Sequence, residues 1–342
     1  MDAKELFEFF LKVKKENNLI TYDTHVHPFD VLGSHKHHQT HPHSTQIPPH
    51  SLLERLEYNK FSLSVLKLIF RFVPSIVRQS IRTNFMDACE ARLLTEMEES
   101  GIDRAALIPV EPFVGALHIN EYYTDPCFLH VGSVNIHALT KEDIAQNIEN
   151  QINQFSIIGL KLHPNIQGFF PEPDRNQKDL AEKLREVYRI AKEKKLYLLF
   201  HGGLSHLLHT NPTTVQYGFL KNFFAEDETS ELFSFGIPTI IAHLGHYNLS
   251  EFNIPLLKRA SAHPHILFDT SGTGSRLIKQ ALEIIGSQKI IFGSDANYFR
   301  IKFNVGLVLK AIVSADIPES VEERIQNIFG KNFEHHLTSR IM

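Results

Sequence analysis

Eight short apolar runs, rich in β-branched and aromatic residues, recur along this 342-residue chain, and most are followed by enough sequence for one helix. They are Leu19–Thr24, Ala105–Val110, Phe128–Asn135, Ile157–Lys161, Leu196–His201, Thr239–His243, Ile266–Thr270 and Ile290–Asp295. Runs such as LYLLF and TIIA lack polar alternation, the pattern of strands covered on both faces by crossover helices. Between them lie segments of helical spacing. Asp179–Lys194 sets Leu180, Leu184, Val187, Tyr188 and Ala191 on one stripe, and Arg276–Ile285 follows the same period. The intervals from Lys161 to His201, His243, Asp269 and Asp295 are 40, 42, 26 and 26 residues, each sufficient for one crossover. The pattern predicts an α/β fold, a (β/α)8 TIM barrel, which takes ~250 residues before insertions.

The remaining length has a place. Thr24 to Ala105 is far longer than one crossover needs, so an insertion of about residues 28–85 is expected after the first strand. It carries the tract HKHHQTHPH (His35–His43) and an apolar helix candidate at Phe61–Val73. A loop that follows a barrel strand lies on the active-site face, so the insertion is lid-like by position; an oligomer contact or an extra core layer would use it equally well. Ala3–Asn17 reads as an amphipathic helix before the barrel and Ile325–Leu337 as a closing helix. One domain spanning residues 1–342 is expected.

Charge and composition exclude several classes. The 35 Lys and Arg against 39 Asp and Glu give a net charge of -4, which provides no field for nucleic acid. No apolar run approaches the ~18–20 residues of a membrane span. The amino-terminal segment interleaves acids with its apolar positions, unlike a secretory signal. Cys89 and Cys127 are too few for a disulfide scaffold and read as reduced cytosolic thiols. The expectation is a cytoplasmic protein with a small-molecule substrate and neither nucleic-acid nor membrane partners; a homodimer is compatible with it. The count that stands out is 21 histidines.

Two of these histidines stand in Tyr22-Asp23-Thr24-His25-Val26-His27-Pro28. Alternate residues of a strand share a face, so His25 and His27 project together at a strand's carboxyl end. A single pair is not a metal site. His201, His243 and Asp295, however, also stand where an apolar run ends. In a barrel those ends ring one mouth, and several histidines with a carboxylate suit Zn²⁺ or another borderline divalent ion. In Lys161-Leu162-His163-Pro164, Lys161 and His163 again share a face.

Taken in order, THVHP, GLKLHP, HGG, AHLGH and FGSDA resemble the amidohydrolase superfamily from about Ile20 to Leu337. The similarity is to its amidohydrolase-2 branch, which holds aminocarboxymuconate-semialdehyde decarboxylase and resorcylate decarboxylases as well as hydrolases. The resemblance implies a metal-dependent barrel enzyme with His25, His27, His201 and Asp295 as ligands and His243 as the acid/base or polarising partner. One divalent ion is expected, Zn before Mn. Binuclear members of the superfamily carry a carbamylated strand-four lysine. Lys161 could fill that role, with His201 and His243 on the second ion; the mononuclear form is expected, with Lys161 facing substrate or supporting the ligands from behind, and His163 a candidate for substrate or a second metal.

The function so implied is a metal-dependent hydrolase in which a metal-activated water attacks the carbonyl of an amide, lactone or cyclic ester, with Asp295 as base. A metal-dependent decarboxylase of an aromatic or enoic acid is the alternative. It would need a cation for the substrate carboxylate, for which Arg276 is the candidate. A non-catalytic metal-binding protein that docks through Phe61–Val73 is a further alternative. The His35–His43 tract lacks regular ligand spacing, His206 and His209 read as helix-surface residues, and Asp269 reads as a cap for the turn at 271–274. Phe29, Phe61, Phe70, Phe72, Phe169 and Phe170 favour an apolar or aromatic substrate.

Overall fold

The structure is a computed structural model that describes residues 2–30, 45–47, 54, 84–85, 88–205, 213–246 and 252–341. Most of the expected insertion, including His35–His43 and Phe61–Val73, lies outside the described residues, as do His206 and His209. Among the described residues, eight strands follow one another in a single sheet in the order β1 to β8. They are β1 (Tyr22–Val26), β2 (Arg104–Leu107), β3 (Phe128–Ser133), β4 (Gly159–Leu162), β5 (Tyr197–Phe200), β6 (Thr239–Ile241), β7 (Ile266–Asp269) and β8 (Ile290–Ile291). The pairings β1–β2 and β3 through β7 are parallel. Helices alternate with these strands, as a (β/α)8 fold requires.

Every expected strand has a counterpart with ends within four residues of the expected ones, and two of the differing ends lie beside the site residues. The first strand runs on to Val26, past the expected end at Thr24. The last stops at Ile291, four residues before Asp295. Beyond Ile291 the backbone is bonded elsewhere. Phe292 N donates to Ile328 O, Thr24 N and Oγ1 both donate to Phe292 O, and Ser294 N donates to the Asp23 carboxylate. The expected closing helix at Ile325–Leu337 is also more complex. It comprises Val321–Gln326, a π turn at Asn327–Lys331 and Asn332–Ile341. Asn327, which opens the π turn, donates to Ser287 Oγ, and Asn332, just after it, donates to the Ser287 and Ile290 carbonyls, tying this segment to the start of β8.

The chain divides into two compact units. The first comprises Met1–Leu107, Glu121–Phe128 and Thr270–Phe333. It opens with the helix Ala3–Glu16, which starts at a capping box formed by Asp2 and Glu5. Phe10, on the inner face of that helix, meets the Phe329 ring at 4.7 Å, and Phe292 meets Phe329 at 4.8 Å. Burying each such ring contributes roughly 1.5–3 kcal/mol. The helix Ile301–Ser314 packs on Ala3–Glu16, Glu90–Ser100 and Ser275–Ile285.

The second unit comprises Ile108–Asn120, Leu129–Asp269 and Glu334–Met342. Here β4, β5 and β6 are buried along their whole length, β5 and β6 as their unbroken apolar runs predict. The helix Lys178–Glu193 sets Leu184, Val187, Tyr188 and Ala191 inward and packs on Lys141–Phe155. The Tyr188 hydroxyl donates to Pro171 O at 2.7 Å, which satisfies the polar end of a buried ring. Among the described residues, no helix is long and apolar enough to cross a membrane.

Candidate metal centre

His25 lies in β1 and His27 directly after it, two positions on, so the two share a side, and both are buried. Their Nε2 atoms lie 3.1 Å apart. Asp295 Oδ1 lies 3.9 Å from His25 Nε2 and 3.5 Å from His27 Nε2. These donor atoms all fall within 4.8 Å of one another. A cation ~2.0–2.2 Å from each of several tetrahedral donors would hold them about 3.3–3.6 Å apart, so the donor set fits one divalent ion. Tautomer chemistry agrees. Ser271 Oγ lies 3.3 Å from His25 Nδ1; with the ring proton on Nδ1 and donated to that oxygen, the Nε2 lone pair is available to a cation.

Local hydrogen bonds explain how Asp295, distant in sequence, reaches this position. Asp295 adopts the left-handed conformation (φ 62°), which Asp tolerates better than most residues. Its N–H donates to His25 O at 2.9 Å. The buried Asp23 Oδ1 accepts from both His25 N and Ser294 N, at 3.1 and 3.0 Å. One carboxylate in β1 thus ties the strand to the turn that carries the third donor. The edge of Tyr298 packs on the His27 ring at 5.6 Å between centroids.

A second group of side chains stands in the second unit. Lys161 is buried in β4, and His163 follows that strand. His163 Nδ1 accepts from Ile166 N at the start of the short helix Pro164–Gln167, and its ring stacks on His201 at 4.2 Å. His201 immediately follows β5, and its Nδ1 lies 3.1 Å from His243 Nε2. Because Leu204 O can only accept, the contact of His201 Nε2 with it at 3.3 Å places the proton on Nε2 and leaves the lone pair on Nδ1. Burial, helped by the positive charge of Lys161, pushes the His201 pKa down to about 3, so this imidazole is neutral at pH 7.

His243 follows β6 in a turn where His243 and Leu244 have φ of 57° and 54°. Asp269 Oδ1 accepts the His243 N–H at 2.8 Å, so the aspartate expected to cap the turn at 271–274 instead holds this strained turn after β6. Gly202 is required by close approach: a Cβ there would stand 2.7 Å from Gly245 Cα.

Of the residues singled out in the sequence, the structure brings His25, His27 and Asp295 together in the first unit. In the second it groups His163, His201 and His243, with Lys161 near enough to act on the charge of His201. Arg276 is exposed in the first turn of the helix Ser275–Ile285. Phe169 is buried, and Phe170 stacks on Tyr217 at 4.0 Å. Sequence reasoning missed Asp23, Ser271, Asn297 and Arg92. The clearest available signal was Arg92 with Glu96, a charged pair spaced i,i+4 on the apolar stripe of Leu93 and Met97.

A further acidic group, Glu172, Asp174 and Glu231, is neutralised in part by one arginine. Arg185 pairs with both Asp174 and Glu231. Burial raises the Glu172 pKa to about 7 against the N–H groups of Glu231 and Leu232 and the Ser230 hydroxyl, which favour its charged form.

Solved structures define the class of fold. An uncharacterized TIM-barrel protein from Bordetella bronchiseptica is 14% identical with a TM-score of 0.55, and the match covers 95% of this chain and 100% of that one. The 5-carboxyvanillate decarboxylase of Novosphingobium aromaticivorans, in complex with manganese and 4-hydroxy-3-methoxy-5-nitrobenzoic acid, is 14% identical with a TM-score of 0.53, covering 94% and 97%. The 2,6-dihydroxybenzoate decarboxylase from Rhizobium is 12% identical with a TM-score of 0.51, covering 94% and 99%. The fold is a (β/α)8 TIM barrel. The sequence profile of the family described as Amidohydrolase, of the amidohydrolase-2 type, matches residues 130–303, just over half of the sequence, and the chain belongs to that family. No curated protein matches the chain.

Proposed function

We propose that this chain is a divalent-metal-dependent hydrolase acting on the carbonyl group of a small molecule: an amide, a lactone or a cyclic ester. The observation that carries the reading is the buried convergence of His25 Nε2, His27 Nε2 and Asp295 Oδ1. Two imidazoles and a carboxylate match Zn²⁺ first and Mn²⁺ second. His201 is proposed as the fourth ligand on the strength of the family resemblance. A cation held by these residues would supply Lewis acidity and lower the pKa of a water beside it.

The chain's own groups handle the protons. Asp295 is the base that accepts a proton from the attacking water, and Asp295 or His243 returns that proton to the leaving group. Ser271 fixes the tautomer of His25, and Asp23 holds the peptide of His25 against that of Ser294. Lys161 and His163 are proposed to face substrate.

Decarboxylation of an aromatic acid is a second reading. Two of the structures described above are decarboxylases, one of them with manganese and a benzoic acid ligand. One experiment separates the readings: metal analysis of the purified protein, followed by assay of lactones, cyclic esters, amides and hydroxybenzoates before and after chelation. Hydrolysis that chelator abolishes and one equivalent of metal restores supports the proposal. Carbon dioxide release without hydrolysis supports the second reading, and a protein that takes up no divalent ion contradicts both. Two equivalents would assign a second ion to His201 and His243, with Lys161 carbamylated.

A further inference from the structure

We infer that Arg92 is a positioning residue for the metal centre, acting through Asn297 on the backbone of His27; the inference rests on the metal reading above and extends it. Arg92 is on the helix Glu90–Ser100, and its side chain is 2% exposed. A guanidinium is buried at high cost unless its donors are met. Here Nη1 donates to Asn84 O at 2.8 Å, Nη2 to Asn297 Oδ1 at 3.0 Å and Nε to Glu96 Oε1 at 3.4 Å. The other Glu96 oxygen accepts from Ile301 N.

The orientation of Asn297 follows from this arrangement. Arginine has donors only, so Asn297 must present its oxygen to Arg92 and its NH₂ to the opposite side. There Nδ2 donates to His27 O at 2.8 Å. Reversing the amide would set NH₂ against guanidinium and oxygen against carbonyl, two repulsive contacts in a buried site. His27 N in turn donates to Ala296 O. Both polar groups of the His27 backbone are therefore held by the two residues that follow Asp295. The separation of His27 Nε2 from Asp295 Oδ1, two of the three donors, is set by this clamp, and Arg92 orients the clamp. Packing alone would not call for a charge here: an apolar residue would fill the stripe between Leu93 and Met97 without the desolvation cost.

The test uses two variants of the full chain. Asn297→Asp keeps an acceptor for Arg92 but loses the donor to His27 O. Arg92→Lys keeps the charge beside Glu96 but loses the planar fork that reaches Asn84 and Asn297 together. Each is titrated with Co²⁺, reading the visible absorption spectrum as well as affinity, and its fold is checked by circular dichroism in chelator. The expected result is a folded protein with Co²⁺ affinity 10- to 100-fold weaker, roughly the effect of losing a group behind a metal ligand, and an altered band shape. Where only one variant folds, that variant decides. Wild-type affinity and spectrum in a folded variant overturn the inference and leave the metal reading intact. Failure of both variants to fold, with His25→Ala folding normally, assigns Arg92 to stability alone and also overturns it. Absence of Co²⁺ binding by the unaltered protein overturns the metal reading on which the inference rests.

Discussion

Asp295→Asn separates the electrostatics of the proposed site from its architecture. The substitution preserves side-chain size, and Asn tolerates the left-handed φ of 62° that this position requires. The backbone bond from residue 295 N to His25 O is untouched. In the presence of chelator the variant should therefore melt within about 2 °C of the unaltered protein.

Its cation affinity should fall steeply. A cation bound among donors that lie within 4.8 Å of one another loses the attraction of a full carboxylate charge. Two unit charges 4 Å apart interact by about 4 kcal/mol at an effective dielectric of ~20. The dication would double that figure, and the amide oxygen and solvent return part of it, so a loss of about 4 kcal/mol is the working figure, or roughly 1000-fold in Kd. Isothermal titration with Zn²⁺ or Mn²⁺, with a competing chelator to bring tight binding into range, measures it. Turnover should be lost as well. A folded Asp295→Asn protein that binds the ion within tenfold of wild type would refute the reasoning, because the carboxylate would then contribute nothing to the site.

Other outcomes follow from the same geometry. Ser271→Ala should weaken metal binding roughly tenfold by releasing the tautomer of His25, and unchanged affinity in the same titration would contradict that role. Saturating cation at about 1000 times its Kd should stabilise the protein by about 4 kcal/mol, seen as a melting temperature several degrees higher than in chelator; equal melting temperatures would argue against a built site. Glu172 should make stability fall with rising pH. Its folded pKa of about 7 exceeds the ordinary 4.5, so between those values the folded chain retains a proton that the unfolded chain releases. The loss should begin near pH 4.5 and be complete above pH 7. It should amount to about 1–2 kcal/mol, discounted from the full linkage value for the polar groups around the carboxyl. Urea unfolding of wild type and Glu172→Gln across this range checks it, and parallel pH curves would contradict the assignment.

Much of this was legible in the sequence because it depends on local pattern. Strands buried on both faces announce themselves as unbroken apolar runs, so LYLLF and TIIA could be placed within a residue or two as β5 and β6. The pairing of His25 with His27 needs only the period of a strand. The boundary of β8 was not legible, because it is set by bonds from distant groups: Ile328 O to Phe292, Asp23 to Ser294. The positioning groups were missed for the same reason. Arg92 meets Asn297 across 205 positions, and Ser271 meets His25 across 246; no periodicity encodes such pairs. What the sequence did offer was a cost without a stated benefit, an arginine and a glutamate on a helix's buried stripe, and that cost is explained only by partners elsewhere in the chain.

The central claim is tested most directly by anomalous diffraction from crystals grown with Zn²⁺ or Mn²⁺ and recorded on either side of the metal's absorption edge. The account predicts an anomalous peak bonded to His25 Nε2, His27 Nε2 and Asp295 Oδ1 at ~2.0–2.2 Å. Density for the ion only at other residues, with these three side chains making no contact to it, would contradict the account.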